Sequence, residues 1–556
     1  MGKCCSSALS RIVFLMLLAA TSCRTEEGPE ALFHEAKVAW DATQAAEADD
    51  PQSIVRRWEA LALANDRLRL IQSSYPDSSL AVDLRNGRAS GGPSIQDVSD
   101  GLHEASSEIG ECQSCQSLLL AAEARSIRND YDRFLALLTV AEYFRDVNLV
   151  TEAYSIALGI HGVLDASDDH DRALRQFALG AAKAGFPDLS YSALDSLDNQ
   201  AFRGAVLCDI AAAQAEIGQI DEALSTLDLA RSQHMLFPNK DSFPSDVPEL
   251  AAKAAIAVAM ARSSRYDDAV QILQTIHDSF LRNRATLEIS ILIIEDGNWK
   301  AASDLIAPVP DSFETHDHSV SKAEVVERIV ASQIEAGQVA NAFETIASIP
   351  DASARVQALG AAAVAQAGSG AFDEAMTTAN MIEDWYRPVV LSRLAMVQAE
   401  AGHIDSALQL ISTVQDTGID PRNSVAVPAW DERPKAYRLI SAAQARSGDW
   451  AAALATARSI RDEWPLSERI GALIQLAKMR SDPEIFAEAF AYASAARERI
   501  AMDMVLQGEA ETGFWLDALA KLRFDYARVF PHRDNRTSSS DTYQALRAII
   551  EGMSHQ

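Results

Sequence analysis

A pair of cysteines with two residues between them is the first feature of the chain that could carry chemistry. Cys112 and Cys115 have the CxxC spacing that serves as a redox pair, as half of a metal site or as a local disulfide. No second cysteine pair and no pattern of thioredoxin-like strands accompanies them. Because the chain begins with an export signal, described below, we predict a disulfide between Cys112 and Cys115. Cys208 lies within a helical pattern and is expected to be a buried free thiol.

Two histidines and two carboxylates form the best candidate for a metal site. Glu314, His316, Asp317 and His318 are close together in sequence, but they lie in an insertion and the sequence places no further ligand beside them. We therefore predict no metal and no cofactor. The chain also contains no glycine-rich phosphate loop, nucleophile elbow or metalloprotease helix. The sequence favours a protein that is not an enzyme.

Arginines recur near the start of successive helical segments. The candidates for partner binding are Arg203, Arg355, Arg387, Arg433 and Arg469, and Arg133 has the same position. A guanidinium can hold a carboxylate through two hydrogen bonds, so the row could line a groove that binds a partner. Alternatively, the row is structural, because a cation near a helix N-terminus needs a partner of its own. Both interpretations stay open.

Glutamines also recur at one position. They are Gln214, Gln333, Gln366, Gln398 and Gln444. A half-buried amide needs hydrogen-bond partners. The row therefore predicts a structural ladder, with ligand binding as the alternative.

Both rows belong to a repeated unit, which is clearest in residues 353–414. Six residues recur there 32 positions later. They are Arg355, Leu359, Ala363, Gln366, Gly370 and Ala375, followed by Arg387, Leu391, Ala395, Gln398, Gly402 and Ala407. Apolar residues at three- and four-residue spacing predict a helix A, the glycine predicts its end, and the final alanine lies in a second helix B. Copies of such a hairpin stack into an α-solenoid.

A small residue in helix B marks eleven such units. The marks are Ala153, Ser190, Ala223, Ala269, Ala302, Ala342, Ala375, Ala407, Ala453, Ala489 and Ala518. Their mean spacing is about 36 residues, which is typical of helical-hairpin repeats. Three longer spacings contain proline-rich insertions, all before a helix A, so the insertions should emerge on one side of the array.

The unit resembles a divergent tetratricopeptide repeat. Ala395, Gly402 and Ala407 match the small residue of helix A, the turn glycine and the alanine of helix B in that family, whereas Gln398 replaces the usual tyrosine. The resemblance implies an all-α, right-handed superhelix of about eleven units whose concave groove binds protein or peptide segments. Residues 66–81 resemble tetratricopeptide units common in envelope assembly proteins. Another α-solenoid of similar unit length is the alternative.

The first residues predict export. Lys3 and Arg11 precede a short apolar run, and Cys23 follows small residues. This resembles a bacterial lipoprotein signal, which implies that Cys23 is acylated and holds the protein to a membrane. One alternative is a secreted protein without the lipid. Another is myristoylation at Gly2, followed by palmitoylated cysteines.

These observations divide the chain into five segments. They are a signal peptide (1–22), an N-terminal helical module (23–88), a linker and helix (89–130), the repeat solenoid (131–530), and a polar break with a capping helix that Asp541 begins (531–556).

Charge and family resemblance together give the expected function. The chain has 49 basic and 79 acidic residues, a net charge of −30, which argues against binding to nucleic acid or to anionic lipid. We expect a non-catalytic scaffold of the bacterial cell envelope, in the periplasm, that binds protein or peptide and contacts a membrane only through Cys23. The alternatives are an accessory factor that binds cell-wall glycan, or an envelope enzyme related to transglycosylases. Tryptophans along the groove would favour glycan; the candidates are Trp299, Trp385, Trp430, Trp450 and Trp464.

Overall fold

The computed structural model describes most of the chain. The described residues are 28–44, 50–87, 92–160, 166–197, 203–234, 247–311, 313, 321–382, 385–414, 432–461, 465–526, 529 and 535–555. Predictions on the signal peptide, on Cys23, on His316 and His318 and on most of the insertions lie outside these residues. Regular structure in the described residues is helical, which confirms the all-α prediction. The chain divides into two compact units, Met1–Glu123 and Ala124–Gln556.

The first unit is a small helical module. Its helices are α1 (Pro29–Gln44), α2 (Pro51–Ser74), α3 (Ser79–Arg85), α4 (Ile95–Glu111) and the greater part of α5 (Gln113–Ser126). Asp50 caps α2, and Pro51 occupies its first turn. Helix α2 is central, because both α1 and α4 pack on it. Arg67 of α2 is buried between Glu35 of α1, at 2.5 Å, and its neighbour Asp66, at 2.9 Å.

The second unit is an array of eleven helical hairpins. The A helices are α6 (Asp130–Phe144), α8 (Ala166–Lys183), α10 (Arg203–Glu216), α12 (Val247–Arg262), α14 (Ser279–Glu295), α16 (Lys322–Glu335), α18 (Ala352–Gly368), α20 (Arg387–Glu400), α22 (Arg433–Arg446), α24 (Leu466–Arg480) and α26 (Arg499–Glu511). The B helices are α7 (Val147–Gly159), α9 (Pro187–Asp195), α11 (Ile220–His234), α13 (Tyr266–Gln274), α15 (Trp299–Ile306), α17 (Val339–Ser348), α19 (Phe372–Asn380), α21 (Ile404–Thr413), α23 (Trp450–Arg458), α25 (Pro483–Ala496) and α27 (Trp515–Lys521). A π-helix (Leu522–Tyr526) and α28 (Asn535–Met553) follow.

Small residues account for the close packing within the hairpins. All eleven predicted marks of helix B are buried, each at 1% exposure or less. A side chain of this size lets two short helices approach closely, and a larger one would push them apart. The predicted helical repeat is therefore confirmed in the described hairpins.

The turn within a hairpin ends helix A in the same way from unit to unit. In hairpin 8, Gly402 has φ of 87°, a left-handed conformation that favours glycine. The backbone amide of His403 then donates to the carbonyl of Gln398, and that of Gly402 donates to Ala399. The same bonds form around Gly370. This motif satisfies the last carbonyls of helix A and turns the chain into helix B.

The A helices form a continuous layer. Each A helix packs on the A helix before and after it, and each B helix packs between two A helices. Successive B helices touch each other only marginally. Helices on the outside of a curved array are spread further apart than those on the inside. The A helices therefore form the inner layer and the B helices the outer one.

Helix α28 joins the two ends of the inner layer. It packs on α26, the last A helix, and on α6, the first. Tyr143 of α6 donates from its hydroxyl to the carbonyl of Met553, 410 residues later, at 3.3 Å. Gly552 lies so close to α26 that an added Cβ would be 2.5 Å from the carbonyl oxygen of Gln507. The array therefore closes into a ring of twelve inner helices, which goes beyond the terminal cap that the sequence predicts.

Helix α28 begins earlier than the sequence predicts. The helix begins at Asn535, six residues before Asp541, so Asp541 lies within it and does not cap it. Asp541 instead forms an ion pair with Arg499, the first residue of α26. None of the described helices combines the length and the apolar character needed to cross a membrane.

Candidate functional site

The arginine row makes hydrogen bonds to the ends of the preceding B helices. Arg355 donates to the carbonyl of Ile349 at 2.9 Å, and Arg387 donates to that of Ile382 at 2.8 Å. Arg469 likewise donates to Ile460 at 2.8 Å. Each of these isoleucines follows a B helix at its C-terminal end. A cation is favourable there, because the unpaired carbonyls carry partial negative charge.

The other arginines of the row also have partners within the chain. Arg203 forms an ion pair with Asp195 at 2.7 Å. Arg433 is buried and also makes an interaction within the protein. Arg133 donates to Ile127 at 3.4 Å. These contacts are those expected of a structural row, and binding of a partner's carboxylates by the same arginines stays a prediction.

Two further cations act in the same way and were not identified from the sequence. Arg282 donates to the carbonyl of Ile276 at 3.2 Å, and Lys322 donates to that of Val309 at 2.6 Å. The signal that could have found them is a cation in the first turn of helix A, whatever its type, after an aliphatic residue that ends helix B.

Two members of the glutamine row connect helix A to helix B. Thr226 donates to the side-chain oxygen of Gln214 at 2.7 Å, and Thr378 donates to that of Gln366 at 2.7 Å. Both pairs are buried and twelve residues apart, so they occupy the same place in hairpins 3 and 7. We call such a pair a rung. In hairpins 6 and 9, Gln333 and Gln444 take this place, and their side-chain oxygens have no partner among the described residues.

The inner surface of an A helix lies opposite its glutamine. In α18, where Gln366 faces α19 through Thr378, a rotation of 100° per residue puts Gln357, Ala361 and Val364 on the other side. The corresponding stripe of α16 includes Glu324 and Arg328, and that of α20 includes Arg393 and Glu400. We call this set the inner stripe.

Ion pairs join neighbouring A helices around the inner layer. Their partners are Lys183 with Glu216 at 2.8 Å, Arg175 with Asp209 at 2.5 Å, Arg328 with Glu295 at 3.8 Å, Arg438 with Glu468 at 3.3 Å, and Lys478 with Glu511. Both signs of charge therefore alternate along the inner surface. Since most of these side chains are partly exposed, the pairs can exchange partners at small cost.

A cluster of four polar side chains spans α16 to α22. Arg393 of α20 lies at its centre and is 3.5 Å from the carboxylate of Glu432, which precedes α22. Tyr386 is buried beside Arg393, and Glu327 of α16 contributes a second carboxylate. We call these four residues the inner cluster. Gly360 of α18 makes it feasible, because an added Cβ would be 3.0 Å from the Tyr386 ring.

The electrostatics of the inner cluster follow from its partial burial. Burial raises the pKa of Glu327 to about 7, although Arg393 acts in the opposite direction. Burial also raises the pKa of Tyr386 to about 12, so its hydroxyl keeps its proton. Near neutral pH the cluster therefore holds one cation and one to two anions. It can accept a cationic group at Glu327, or release Arg393 to a carboxylate.

The structure describes three cysteines, two in the first unit and one in the second. Cys112 and Cys115 form a disulfide, with their Cα atoms 5.2 Å apart. Cys208 is a buried free thiol in α10. Burial raises the pKa of Cys208 to about 12, so the thiol is not a nucleophile at neutral pH. Within the described part of the chain, no group of three or more His, Cys, Asp or Glu side chains is arranged to hold a metal ion.

Three of the candidate tryptophans contact other side chains of the protein. Trp299 and Trp385 pack against hydrophobic core clusters that neighbouring hairpins share. The guanidinium of Arg480 lies over the ring of Trp450, 5.5 Å from its centroid. Trp430 and Trp464 lie outside the described residues.

Comparison with known proteins does not assign a family. No protein-family profile and no curated protein matches the chain. Among solved structures, the chain is similar to one described as a circular tandem repeat protein with novel repeat topology and enhanced subunit contact surfaces. The two are 12% identical, with 89% of this chain and 97% of that chain covered, at a TM-score of 0.13. At that score the likeness carries no argument, and the fold rests on the helices described above.

Proposed function

We propose that the protein is a non-catalytic scaffold that binds protein or peptide segments on the inner surface of its ring. The observation that carries this proposal is the closed layer of A helices, whose inner stripe holds charges of both signs, including Arg393 of the inner cluster. A continuous charged surface of this kind suits a polar, extended partner with side chains of both signs.

The size of the ring fits such a partner. Twelve helices at an interaxial distance of about 9 Å surround an opening roughly 20 Å wide, once the width of the helices is subtracted. One helix is about 10–12 Å across with its side chains, so a single helical or extended segment fits inside. A folded domain would not.

Two observations favour peptide over glycan and over catalysis. Trp299 and Trp385, which could stack on sugar rings, pack against hydrophobic core clusters, and the guanidinium of Arg480 lies over the ring of Trp450. The three carboxyl groups whose pKa burial raises to about 7, Glu142, Glu327 and Glu509, lie on three different A helices. None of the three glutamates contributes to the pKa shift of either of the others. They therefore do not form an acid–base pair in one pocket.

The envelope location is part of the same proposal. A disulfide between Cys112 and Cys115 is favoured in an oxidising compartment, which agrees with export. Acylation of Cys23 would then hold the ring at a membrane of a bacterial envelope. The tetratricopeptide likeness of the repeats supports a role in assembly of other proteins.

Site-specific photo-crosslinking tests this function. A photoreactive amino acid replaces Ala361, in the inner stripe of α18, and in a matched control it replaces Gln409, exposed on the outer helix α21. Membrane fractions are irradiated and the adducts are identified by mass spectrometry. We expect a reproducible protein adduct from position 361 and none from position 409. Glycan adducts at 361 would favour the cell-wall alternative, and equal adducts at both positions would reject the inner surface as the binding site.

The mass of the intact protein in the same sample tests the anchor. We expect a chain that starts at Cys23 and carries acyl mass. An unmodified start would remove the anchor from the proposal, and a myristoylated Gly2 would reject export.

A further inference from the structure

The disulfide between Cys112 and Cys115 lies where helix α4 ends and helix α5 begins. Cys112 is the residue between Glu111, the last of α4, and Gln113, the first of α5. Its carbonyl accepts hydrogen bonds from the backbone amides of Cys115 at 2.9 Å and of Gln116 at 3.0 Å. Cys112 is therefore the N-cap of α5, the position whose side chain can accept hydrogen bonds from the first turn of the helix.

The sulfur of Cys112 makes the contacts of an N-cap oxygen. The backbone amide of Cys115 donates to Cys112 Sγ at 3.2 Å, and the Ser114 hydroxyl lies 3.3 Å from the same sulfur. The first turn of α5 contains no acidic residue. After reduction, a thiolate at Cys112 would keep these contacts and gain from the partial positive charge of the helix N-terminus. The N-cap position therefore stabilises the reduced form of the pair.

The carbonyls at the end of α4, which would disfavour a thiolate, are already occupied. The side-chain amide of Gln116 donates to the carbonyl of Gly110 at 2.8 Å and to that of Ile109 at 3.3 Å. The backbone amide of Cys112 also donates to Ile109, at 3.1 Å. Glu111 is the neighbouring charge in the sequence, and its side chain is exposed to solvent, which screens it. The N-terminus of α5 therefore outweighs the C-terminus of α4 at this sulfur.

The two cysteines differ in their exposure. Cys115 is 0% exposed, whereas Cys112 is partly exposed beside the exposed residues Gln113 and Ser114. An incoming thiol can therefore reach the sulfur of Cys112 and not that of Cys115. Exchange reactions of disulfides need this access to one sulfur, with the other sulfur as the leaving group.

A purely structural role explains the pair less well. The bond joins residues three positions apart, so it restricts the unfolded chain much less than a bridge between distant segments would. Residues 113–115 also belong to α5, whose backbone hydrogen bonds order them. The disulfide therefore adds little constraint that the helix does not already supply.

We propose that the Cys112–Cys115 disulfide is exchange-active and oxidises a pair of thiols in another protein to a disulfide. The direction follows from the N-cap, because a disulfide whose reduced form is stabilised is given away readily. This activity goes beyond the proposed function. It belongs to the first unit of the chain and requires no segment bound on the inner surface of the ring.

The exchange proceeds in two steps that balance. One thiolate of the partner attacks Cys112 Sγ, the bond between the two sulfurs breaks, and Cys115 leaves as a thiolate that takes up a proton. The second thiolate of the partner then attacks the partner's own sulfur in the mixed disulfide and releases Cys112. Two electrons pass from the partner's dithiol to the cysteine pair. Of the two protons that the partner loses, one ends on Cys115 and the other on Cys112 or in solvent.

A peptide with two thiols tests the exchange on the full-length chain. Cys4, Cys5 and Cys23 are replaced by serine, and Cys208 is kept because it is buried. The oxidised protein is mixed with the reduced peptide, samples are quenched with acid and alkylated, and mass spectrometry gives the oxidised fraction of the peptide. We expect oxidation at least about tenfold faster than by oxidised glutathione at the same concentration. Hydrogen exchange of residues 95–111 should be the same before and after reduction.

Variants of the two cysteines test which sulfur is attacked. Cys115→Ser keeps the exposed thiol and should form a stable mixed disulfide with oxidised glutathione. Cys112→Ser is the matched control, because it leaves only the buried thiol and should form none.

Variants of Ser114 separate exchange from structure. Ser114→Lys should raise the equilibrium constant for reduction of the pair by reduced glutathione, and Ser114→Asp should lower it. The two variants should differ by about tenfold, because the new charges lie beside Cys112 Sγ. An effect on helix stability has the opposite sign, since aspartate in the first turn stabilises a helix and lysine there weakens it.

Four results would overturn the proposal and leave a structural disulfide. They are peptide oxidation no faster than by oxidised glutathione, equal formation of mixed disulfide by the two cysteine variants, the reverse order of the two Ser114 variants, and loss of protection throughout residues 95–111 on reduction. The photo-crosslink at Ala361 is read independently. An adduct there with an inert disulfide would leave the proposed function in place and reject only the exchange; no adduct with an active disulfide would do the reverse.

Discussion

In hairpins 3 and 7 neutral side chains make the polar contact between helix A and helix B. In hairpin 11 charged side chains make it. Glu509 of α26 takes the place of the glutamine, and Lys521, twelve residues later, takes the place of the threonine. The two side chains form an ion pair, and Glu509 is 1% exposed. One geometry thus holds two kinds of chemistry.

The charged rung lies where the repeat array changes. Helix α26 packs on α28 as well as on its own B helix. In the preceding hairpins, the next hairpin of the array covers the side of helix A that α28 covers in hairpin 11. Burial there raises the pKa of Glu509 to about 7, although Lys521 acts in the opposite direction. The comparison shows that this place accepts either a neutral hydrogen bond or an ion pair, and that charge here adds a dependence on pH.

Loss of the lysine should have the largest effect. Lys521→Thr leaves a buried carboxylate without its cation and should destabilise hairpin 11 by about 3–5 kcal/mol at pH 8. The double variant Glu509→Gln/Lys521→Thr recreates the neutral rung of hairpins 3 and 7 and should recover this loss. Hydrogen exchange of peptides from residues 499–521 measures both. A double variant as unstable as the single one would break the comparison.

The charged rung should also make hairpin 11 less stable as pH rises. Folded Glu509 keeps its proton up to about pH 7, whereas the unfolded chain loses it in the ordinary glutamate range. The stabilising contribution is therefore complete below that range and is lost as pH rises through about 7. Between pH 4.5 and 7.5 we expect a loss of roughly 3 kcal/mol relative to Glu509→Gln. Parallel pH profiles of hydrogen exchange for the two proteins would contradict the prediction that Glu509 makes hairpin 11 less stable as pH rises.

A methyl group at Gly552 should weaken the cover of hairpin 11. An added Cβ would be 2.5 Å from the carbonyl oxygen of Gln507, which is backbone and cannot rotate away. Gly552→Ala should cost about 1–3 kcal/mol in urea unfolding of the array. Gly159→Ala is the matched control, because nothing lies within 4 Å of its added Cβ. Equal stability of the two variants would contradict close packing of α28.

The neutral rung should respond to loss of its donor by a smaller amount. Thr378→Val keeps the shape of the side chain but leaves the buried oxygen of Gln366 without a partner, which should cost about 1–2 kcal/mol. Adding Gln366→Leu removes the unsatisfied oxygen and should recover most of the loss. Hydrogen exchange of residues 352–380 measures both variants, and no loss in Thr378→Val would show that the rung is incidental.

Local features of the array could be predicted from the sequence because they depend on near neighbours. The turn at Gly402, the buried Ala407 and the start of α20 at Arg387 all follow from the period of the pattern. The function of Arg387 was left open, because its hydrogen bond to Ile382 could not be distinguished from a contact with a partner.

Features that combine different residue types or distant parts of the chain could not be predicted. Lys322 and Glu509 escaped recognition because they replace the usual arginine and glutamine at their positions. Helix α28 begins in a serine-rich stretch that resembles a loop, since its stability comes from packing on α6 and α26. Closure of the ring joins residues 410 positions apart and has no local signature.

Chemical crosslinking of the ring tests its closure most directly. Arg145→Cys and Ser554→Cys, on the full-length chain in dilute solution at pH 6, are treated with a short bis-maleimide and mapped by mass spectrometry. Closure predicts an efficient crosslink within one chain that joins the end of α6 to the end of α28. The control pair is Arg145→Cys and Asp405→Cys, an exposed residue of a distant hairpin. A crosslink yield for the first pair no higher than that of the control pair would contradict the ring.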